Sequence, residues 1–321
     1  MQEIIKNSIM VREEESGMRL DRLLTLKFPV INRDEWQNRI LEGMVLVESK
    51  KTKPSRKLHA NETVDFFYNK RKEPDVNFNV KILFEDDSLL ILDKPSNLPV
   101  HPSGIYYNNT LHGFLKEKYG DGHISRFAHR LDRETSGIII TAKTGNDASI
   151  LQKAFFDGEI YKEYTVFAEG KFPEYKNAEG ILAQDEKSAV RKKRKFIDGG
   201  TVHENKNGET ARTEFFLESY KKNTSTLRAI LHTGRMHQIR ATLCSLGFPV
   251  VGDRLYGVDE NLYLNLISGK KSDSDLEKLR MNRTALHCRT MEFKHPADGR
   301  LIRIESPLPE DMQNFMTSLT S

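Results

Sequence analysis

The sequence predicts two domains of unequal size: a small N-terminal α/β module, and a larger α+β domain built on a mixed, largely antiparallel sheet with flanking helices. Three observations predict it. At 321 residues the chain is long for one compact core. The polar, charged stretch Asn69-Lys-Arg-Lys-Glu-Pro74 marks a change of character along the chain. Beyond it, strand-like runs are separated by both hairpin-length and helix-length connections, the pattern of an α+β sheet.

The first domain spans residues 11–69. Met18-Arg-Leu-Asp-Arg-Leu-Leu-Thr-Leu-Lys27 carries apolar residues at 18, 20, 23 and 24, which suits an amphipathic helix ended by Pro29. Asn32 can cap a second helix, Arg33–Glu42, and Gly43 stops it. Met44–Glu48 and Val64–Tyr68 read as strands, and the basic stretch Lys50–Lys57 reads as a turn. After a linker at 70–76, the second domain spans 77–317. Its predicted strands are Val80–Phe84, Leu89–Asp93, Gly137–Thr141, Tyr164–Ala168, Thr213–Leu217, Thr226–Leu231 and Leu301–Ile304. Its predicted helices lie around Leu111–Lys118, Asp147–Phe156 and His237–Gly247. Gln184–Gly208 and Asp259–Met281 look like surface excursions. The sequence shows no internal repeat.

Composition narrows the function classes. The longest apolar runs are strand-sized, so no membrane span is expected. Met1–Val11 has no apolar segment followed by small residues, so no signal peptide is expected. Two cysteines, Cys244 and Cys288, cannot build a disulfide framework and lack metal-ligand spacing. A cytoplasmic monomer is the expectation. Residues 1–72 hold fifteen Lys/Arg and eleven Asp/Glu, which leaves thirty-five of each in the rest (50 − 15 and 46 − 11). The whole net charge of +4 therefore sits in the first quarter of the chain, residues 1–72, as in a segment that meets a polyanion.

Two polar clusters could carry chemistry. His129-Arg-Leu-Asp-Arg-Glu-Thr-Ser-Gly137 leads directly into an apolar strand, and the arginines on either side of Asp132 would hold its carboxylate ionised. Such a group can act as nucleophile or base; a structural ion pair has the same sequence. Asp132 and Glu134 make a poor glycosidase pair, because the residues after them argue for a loop rather than a regular strand. In His232-Thr-Gly-Arg-Met-His-Gln-Ile-Arg240, Arg235 sits at a strand-to-helix turn where a guanidinium can pair with a phosphate or carboxylate. No metal site is expected there, since no carboxylate or Cys stands at ligand spacing. Tyr164 shares a strand face with Lys162, and spacing alone makes it a packing residue. No P-loop, Gly-x-Ser-x-Gly elbow or dinucleotide fingerprint is present.

The motif His129-Arg-Leu-Asp-x-x-Thr-Ser-Gly137 resembles the signature of the pseudouridine synthase family that modifies large-subunit ribosomal RNA and some transfer RNAs. Other segments follow in family order: Ile82–Pro102, Lys162-Glu-Tyr164, Thr233–Arg240 with Gly247–Gly257, and then Leu286-His287, Phe293–Pro296 and Pro307–Pro309. The first domain resembles the RNA-binding module first recognised in small-subunit ribosomal protein four. The chain departs from the pattern at Ser96-Asn97, at Ala241-Thr-Leu243 and in the insertion around Asp259–Met281.

The resemblance implies an isomerase that converts uridines in structured RNA to pseudouridine, most readily in large-subunit ribosomal RNA, by flipping out the base. It implies that Asp132 acts in glycosidic bond cleavage; attack on ribose, attack on the ring and proton removal all stay open. Tyr164 would stack on the uracil, and Arg235 would pair with Asp132. His129, Arg130, Arg133, His237, Gln238 and Arg240 would surround the substrate. Arg19, Arg33, Arg39, Lys50, Lys51, Lys53, Arg56 and Lys57 would meet RNA phosphates. No cofactor, metal or small-molecule cosubstrate is implied, because the reaction only rearranges atoms. Three alternatives are a transfer-RNA substrate, a non-catalytic RNA-binding assembly factor and an RNA N-glycosidase that releases free uracil.

Overall fold

The computed structural model describes residues 4–28, 31–69, 73–120, 126–200, 208–267 and 273–320. The chain divides into two compact units, Met1–Lys72 and Glu73–Ser321.

In the first unit, β1 (Ile4–Met10), α1 (Leu20–Lys27), α2 (Arg33–Leu41), β2 (Val45–Val47), β3 (Lys50–Lys51) and β4 (Thr63–Asn69) follow in order. The strands form an antiparallel sheet ordered β1-β4-β2-β3. Apolar residues one helical turn apart bury Leu20, Leu23 and Leu24 of α1 with Trp36 and Ile40 of α2 against Val45, Val47, Val64 and Phe66. The Asn32 side chain caps α2 by accepting from the Glu35 amide at 2.8 Å. Pro29, expected to end α1, lies outside the described residues. The structure adds β1 ahead of the predicted start at Val11; its centre, Lys-Asn-Ser, lacks the apolar alternation that announces a strand. Lys50 and Lys51 form a short strand before the chain turns.

The second unit contains β5 (Lys81–Glu85), β6 (Leu89–Lys94), α3 (Leu111–Tyr119), β7 (Arg126–Phe127), β8 (Ser136–Ala142), α4 (Gly145–Asp157), β9 (Tyr161–Glu169), β10 (Tyr175–Gln184), β11 (Arg194–Asp198), β12 (Glu209–Lys221), β13 (Thr224–Leu231), α5 (Gln238–Ser245), α6 (Asn261–Ile267), α7 (Asp273–Leu279), β14 (Leu286–Lys294), β15 (Leu301–Glu305) and α8 (Glu310–Ser318). Its main sheet runs β11-β10-β12-β13-β9-β14-β8-β6-β5, with β15 on β14 and β7 on β8. Among the described residues every pairing is antiparallel except β14 with β8.

Strands β10, β11 and β14 and helix α8 are additions to the sequence reading. The stretch from Gln184, expected as an excursion, includes β11, which folds back along β10. The Asp259–Met281 excursion contains α6 and α7. Glu73, expected in the linker, is anchored in the second unit, where its carboxylate accepts backbone N–H groups of Tyr107, Asn108 and Asn109 at 2.7–2.9 Å.

Strand β14 lies between β8 and β9 and so sets the spacing of the residues those strands carry. The seam with β8 is unusually close. Gly137 has φ of 111°, and a Cβ there would fall 2.1 Å from the Cys288 carbonyl oxygen, so no other residue fits.

Candidate active site

The loop between β7 and β8 carries Asp132, and neighbouring backbone bonds fix its shape. The Thr135 amide donates to the Asp132 carbonyl, and the Leu98 amide to the Arg133 carbonyl. The fully buried Lys94 ammonium donates to the carbonyls of Pro95 at 2.8 Å, Leu98 at 2.9 Å and Arg133 at 3.2 Å. Burial, with Arg283 nearby, pulls its pKa down to about 7. Three carbonyl acceptors match the three donors of a charged lysine, and through them the segment at 95–98 is tied to the Asp132 loop.

The Asp132 carboxylate is 24% exposed and accepts from Arg240 Nη1 at 2.7 Å. Burial alone would raise its pKa; Arg240, His237 and Arg130 outweigh burial and hold it below the usual carboxylate value. Arg240 is itself clamped. Its Nε and Nη2 donate to the two oxygens of Asp253 at 2.5 and 2.8 Å, and its guanidinium lies 5.0 Å from the centre of the Tyr256 ring. Asp253 is fully buried, and one of its oxygens also accepts the amides of Leu255 and Tyr256. The row Asp253–Arg240–Asp132 thus fixes Asp132 from behind while leaving part of it open.

His237 completes this wall. It is the N-cap of α5 and has a left-handed backbone, φ 59°. The Tyr256 hydroxyl accepts the Arg194 amide at 2.8 Å, which leaves its own proton for His237 Nδ1 at 2.9 Å. The hydrogen of the neutral ring therefore belongs on Nε2, 3.8 Å from Asp132 Oδ1. Burial lowers the His237 pKa to about 4, so the ring is neutral at pH 7.

Tyr164 is brought in by β9. It is 6% exposed and lies opposite Cys288 on β14. Burial, the hydrogen-bonded Cys288 and the Asp132 charge push its hydroxyl well above the usual tyrosine value. It is a buried, protonated phenol within the field of Asp132.

Several expected roles need correction. Arg235 does not pair with Asp132: its Nε donates to the Thr210 carbonyl at 3.2 Å, and its Nη1 lies 3.5 Å from Glu209. The left-handed turn at His237 separates the two arginines, so that Arg240 on α5 reaches Asp132. Gln238 is buried and fully engaged. Its carbonyl accepts from Thr233 Oγ1 and the Arg235 amide, and its NH2 donates to the Arg212 carbonyl and Thr213 Oγ1, so it braces the turn and has no donor left for a substrate. His129 is turned into the protein: its Nε2 accepts the Ile140 amide at 3.1 Å and its ring lies 4.6 Å from Phe155. Burial takes its pKa down to about 3. Arg133 donates to the Tyr106 hydroxyl at 2.5 Å and to Glu134 at 2.9 Å. Arg130 remains exposed on the loop.

The sequence reading weighed Glu134 only as a glycosidase partner of Asp132 and gave it no structural role. Its carboxylate accepts from Arg133, from Arg254 at 2.8 Å, and from the Thr284 amide and hydroxyl at 3.2 Å each. It ties the Asp132 loop to the chain on either side of the insertion. Glu134→Ala should therefore lower the free energy of unfolding by about 2–3 kcal/mol and reduce turnover with it; a wild-type urea midpoint would show that the tie is idle.

The structure thus brings Asp132, His237 and Arg240 together, sets Tyr164 within reach of the Asp132 charge and leaves Arg235 outside. A held, ionised and partly exposed carboxylate whose charge reaches a buried phenol suits chemistry on an uncharged ring. Among the described residues, no group of three His, Cys, Asp or Glu side chains is placed to hold a metal ion.

Comparison with known proteins points the same way. A family model described as RNA pseudouridylate synthase matches residues 88–245. The chain is 31% identical over 330 residues to ribosomal large subunit pseudouridine synthase D of Blochmanniella floridana, covering 98% of this chain and 99% of that one. It is 30% identical over 322 residues to the protein of the same name from Zymomonas mobilis, covering 95% of each. The solved structure of human RNA pseudouridylate synthase domain containing 4 superposes with a TM-score of 0.58 at 22% identity, covering 74% of this chain and 92% of that one.

Proposed function

Because the chain belongs to the RNA pseudouridylate synthase family, we propose that it isomerises particular uridines of large-subunit ribosomal RNA, with Asp132 as the catalytic carboxylate. The observation that carries this reading is the Asp253–Arg240–Asp132 row, which holds Asp132 ionised and partly exposed, with its charge reaching the buried Tyr164 hydroxyl. The target uridine must leave the RNA stack to reach a carboxylate set this far into the protein.

In the reaction the bond from ribose C1′ to uracil N1 breaks and a bond from C1′ to uracil C5 forms; N1 gains a proton and C5 gives one up. Attack on ribose, attack on the ring and proton removal all need Asp132 ionised, and Arg240 keeps it so. Tyr164 offers a flat face for the ring. Its raised pKa means that it gives up its proton only transiently. Neutral His237, with its hydrogen on Nε2, is a donor on the same side as Asp132 Oδ1.

Pseudouridine mapping of total RNA from cells with and without the gene tests the reading. Loss of signal at particular large-subunit positions is the expected result. Loss confined to transfer RNA would change the substrate, and no loss in a cell that expresses the protein would overturn the reading. The named relatives and the exposed lysines favour ribosomal RNA in the cytoplasm; no helix among the described residues is long and apolar enough to cross a membrane.

The first unit acts in this reading as the RNA-binding module. Lys50, Lys51, Lys53 and Lys57 are exposed and make no ion pair among the described residues. Arg19 and Arg33 both donate to the buried Asp21, which holds them half-exposed in fixed positions. Arg39 pairs with Glu35 and Arg56 with Glu62, so these two have less charge to offer. Replacing the four lysines by alanine should weaken RNA binding and flatten its salt dependence, by about 0.7–0.9 in log–log slope for each phosphate no longer neutralised. An unchanged slope would remove the lysines from the interface.

A further inference from the structure

One cleft of the second unit has no part in the chemistry above. It has a volume of about 470 Å³ and lies between the start of α3, strand β7 and the first turns of α4. His101, His112, Arg126, Phe127, Ser149 and Gln152 supply its side chains. The amides of Leu111 and His112 donate to the carbonyls of Pro99 and Val100, which holds the first turn of α3 against the chain leading to His101. The two imidazole rings therefore stand 6.4 Å apart, with Phe127 edge-on to His101 at 4.8 Å and 6.5 Å from His112.

Three features suggest a ligand. First, His101, His112, Ser149 and Gln152 are exposed; a ring cluster that served only packing would be turned inward. Second, among the described residues no carboxylate lines the cleft, and the Arg126 side chain, which donates to the Lys143 carbonyl at 3.3 Å, stands at its edge. Flat rings beside a guanidinium are the surroundings of a nucleotide in single-stranded RNA: a base for the rings, a phosphate for the cation. Third, the cleft adjoins the Asp132 loop. Phe127 stands two residues before His129, β7 pairs with β8 on the far side of that loop, and the charge of Arg130 reaches His101, where after burial it is the next influence lowering the proton affinity of the ring.

We propose that this cleft holds a nucleotide adjacent to the target uridine, with its base stacked on the exposed His101 ring, the Phe127 and His112 rings closing its sides, and its phosphate on the Arg126 side of the cleft. The proposal rests on the pseudouridine synthase reading and deepens it. Extruding one base leaves its neighbour unstacked, and a waiting aromatic platform offsets part of that loss. The amide of Gln152 can meet the edge of the stacked base, which would make the cleft a determinant of which uridines are chosen.

The test uses the full-length protein and a hairpin RNA presenting a uridine identified by mapping, together with versions abasic at each neighbouring position in turn. Wild type is compared with H101A/H112A, whose substituted residues are exposed; thermal melting confirms that the variant is folded. With wild type, one abasic position should lower kcat/KM about 5- to 100-fold, the range that base–aromatic stacking spans. The double variant should lose a similar factor on intact RNA and lose little more at that abasic position. Independent, multiplicative losses, or a variant equal to wild type on intact RNA, would overturn the proposal. The same coupling is read in hairpin Kd. The subsite is therefore decided even if intact hairpin yields no pseudouridine, a result that would count against the isomerase reading alone.

Discussion

Asp132→Asn should abolish pseudouridine formation, with turnover falling on the order of 10⁴-fold or more while RNA is bound within about twofold of wild type. The amide keeps the shape and can still accept from Arg240, and Arg240 keeps its second carboxylate, Asp253. What disappears is the negative charge. Single-turnover assays on a substrate RNA, paired with a binding titration, make the measurement; a variant that still forms product would sink the carboxylate role. The pH dependence follows from the same group. The pKa of Asp132 is depressed in the folded protein, so its charge, and the stability that charge contributes, is present above the ordinary carboxylate pKa and is lost only as pH falls through the lowered value. Between about pH 5 and 8, ionisation of Asp132 should leave kcat/KM flat.

The second large effect separates two arginines five residues apart. Arg240→Met strands Asp253, which is fully buried, and removes the partner of Asp132. Breaking one side of a buried pair costs about 3–5 kcal/mol, and burial, no longer opposed, should raise the pKa of Asp132. Stability and turnover should collapse together. Arg240→Lys is the informative companion, because it keeps the charge but cannot grip Asp253 bidentately while reaching Asp132; it should fold better than the Met variant and still turn over poorly. Arg235→Met is expected to cost about 0–1 kcal/mol and to leave chemistry nearly untouched, since its partners are a backbone carbonyl and the exposed Glu209. Inactivity of the Arg235 variant beside an active Arg240→Lys would reverse the assignment.

That reversal of arginines marks where the sequence stops being legible. Asp132 stood out because its cluster is dense, polar and set directly before an apolar strand. Tyr164 stood out only through the family motif, since its strand reads as packing. The choice between Arg235 and Arg240 depends on a left-handed residue at His237, and nothing in the composition of the segment announces it. Asp253 and Glu134 were hidden for a different reason: their partners lie 13 and 120 residues away, beyond any local pattern. Strand β14 escaped because it is buried along most of its length and shows no alternation. Strands β6, β8, β9, β12 and β13 and helices α3, α4 and α5 were legible because their apolar runs end at turn residues. Strands β10 and β11 were not, being interrupted by Gly180 and by basic residues.

The position of β14 has a consequence for how the protein is made. Asp132 precedes β8, Tyr164 sits on β9, and the strand between them comes from residues 286–294, near the end of the chain. Until the ribosome has released that strand, β8 and β9 each present an open edge to the cell, and the two chemical groups have no common frame. Pairings this distant in sequence form late, and open edges invite association with other chains. A polypeptide cut short before residue 286 should therefore be both silent and sticky, and catalytic competence should arrive in one step as the final segment closes the sheet.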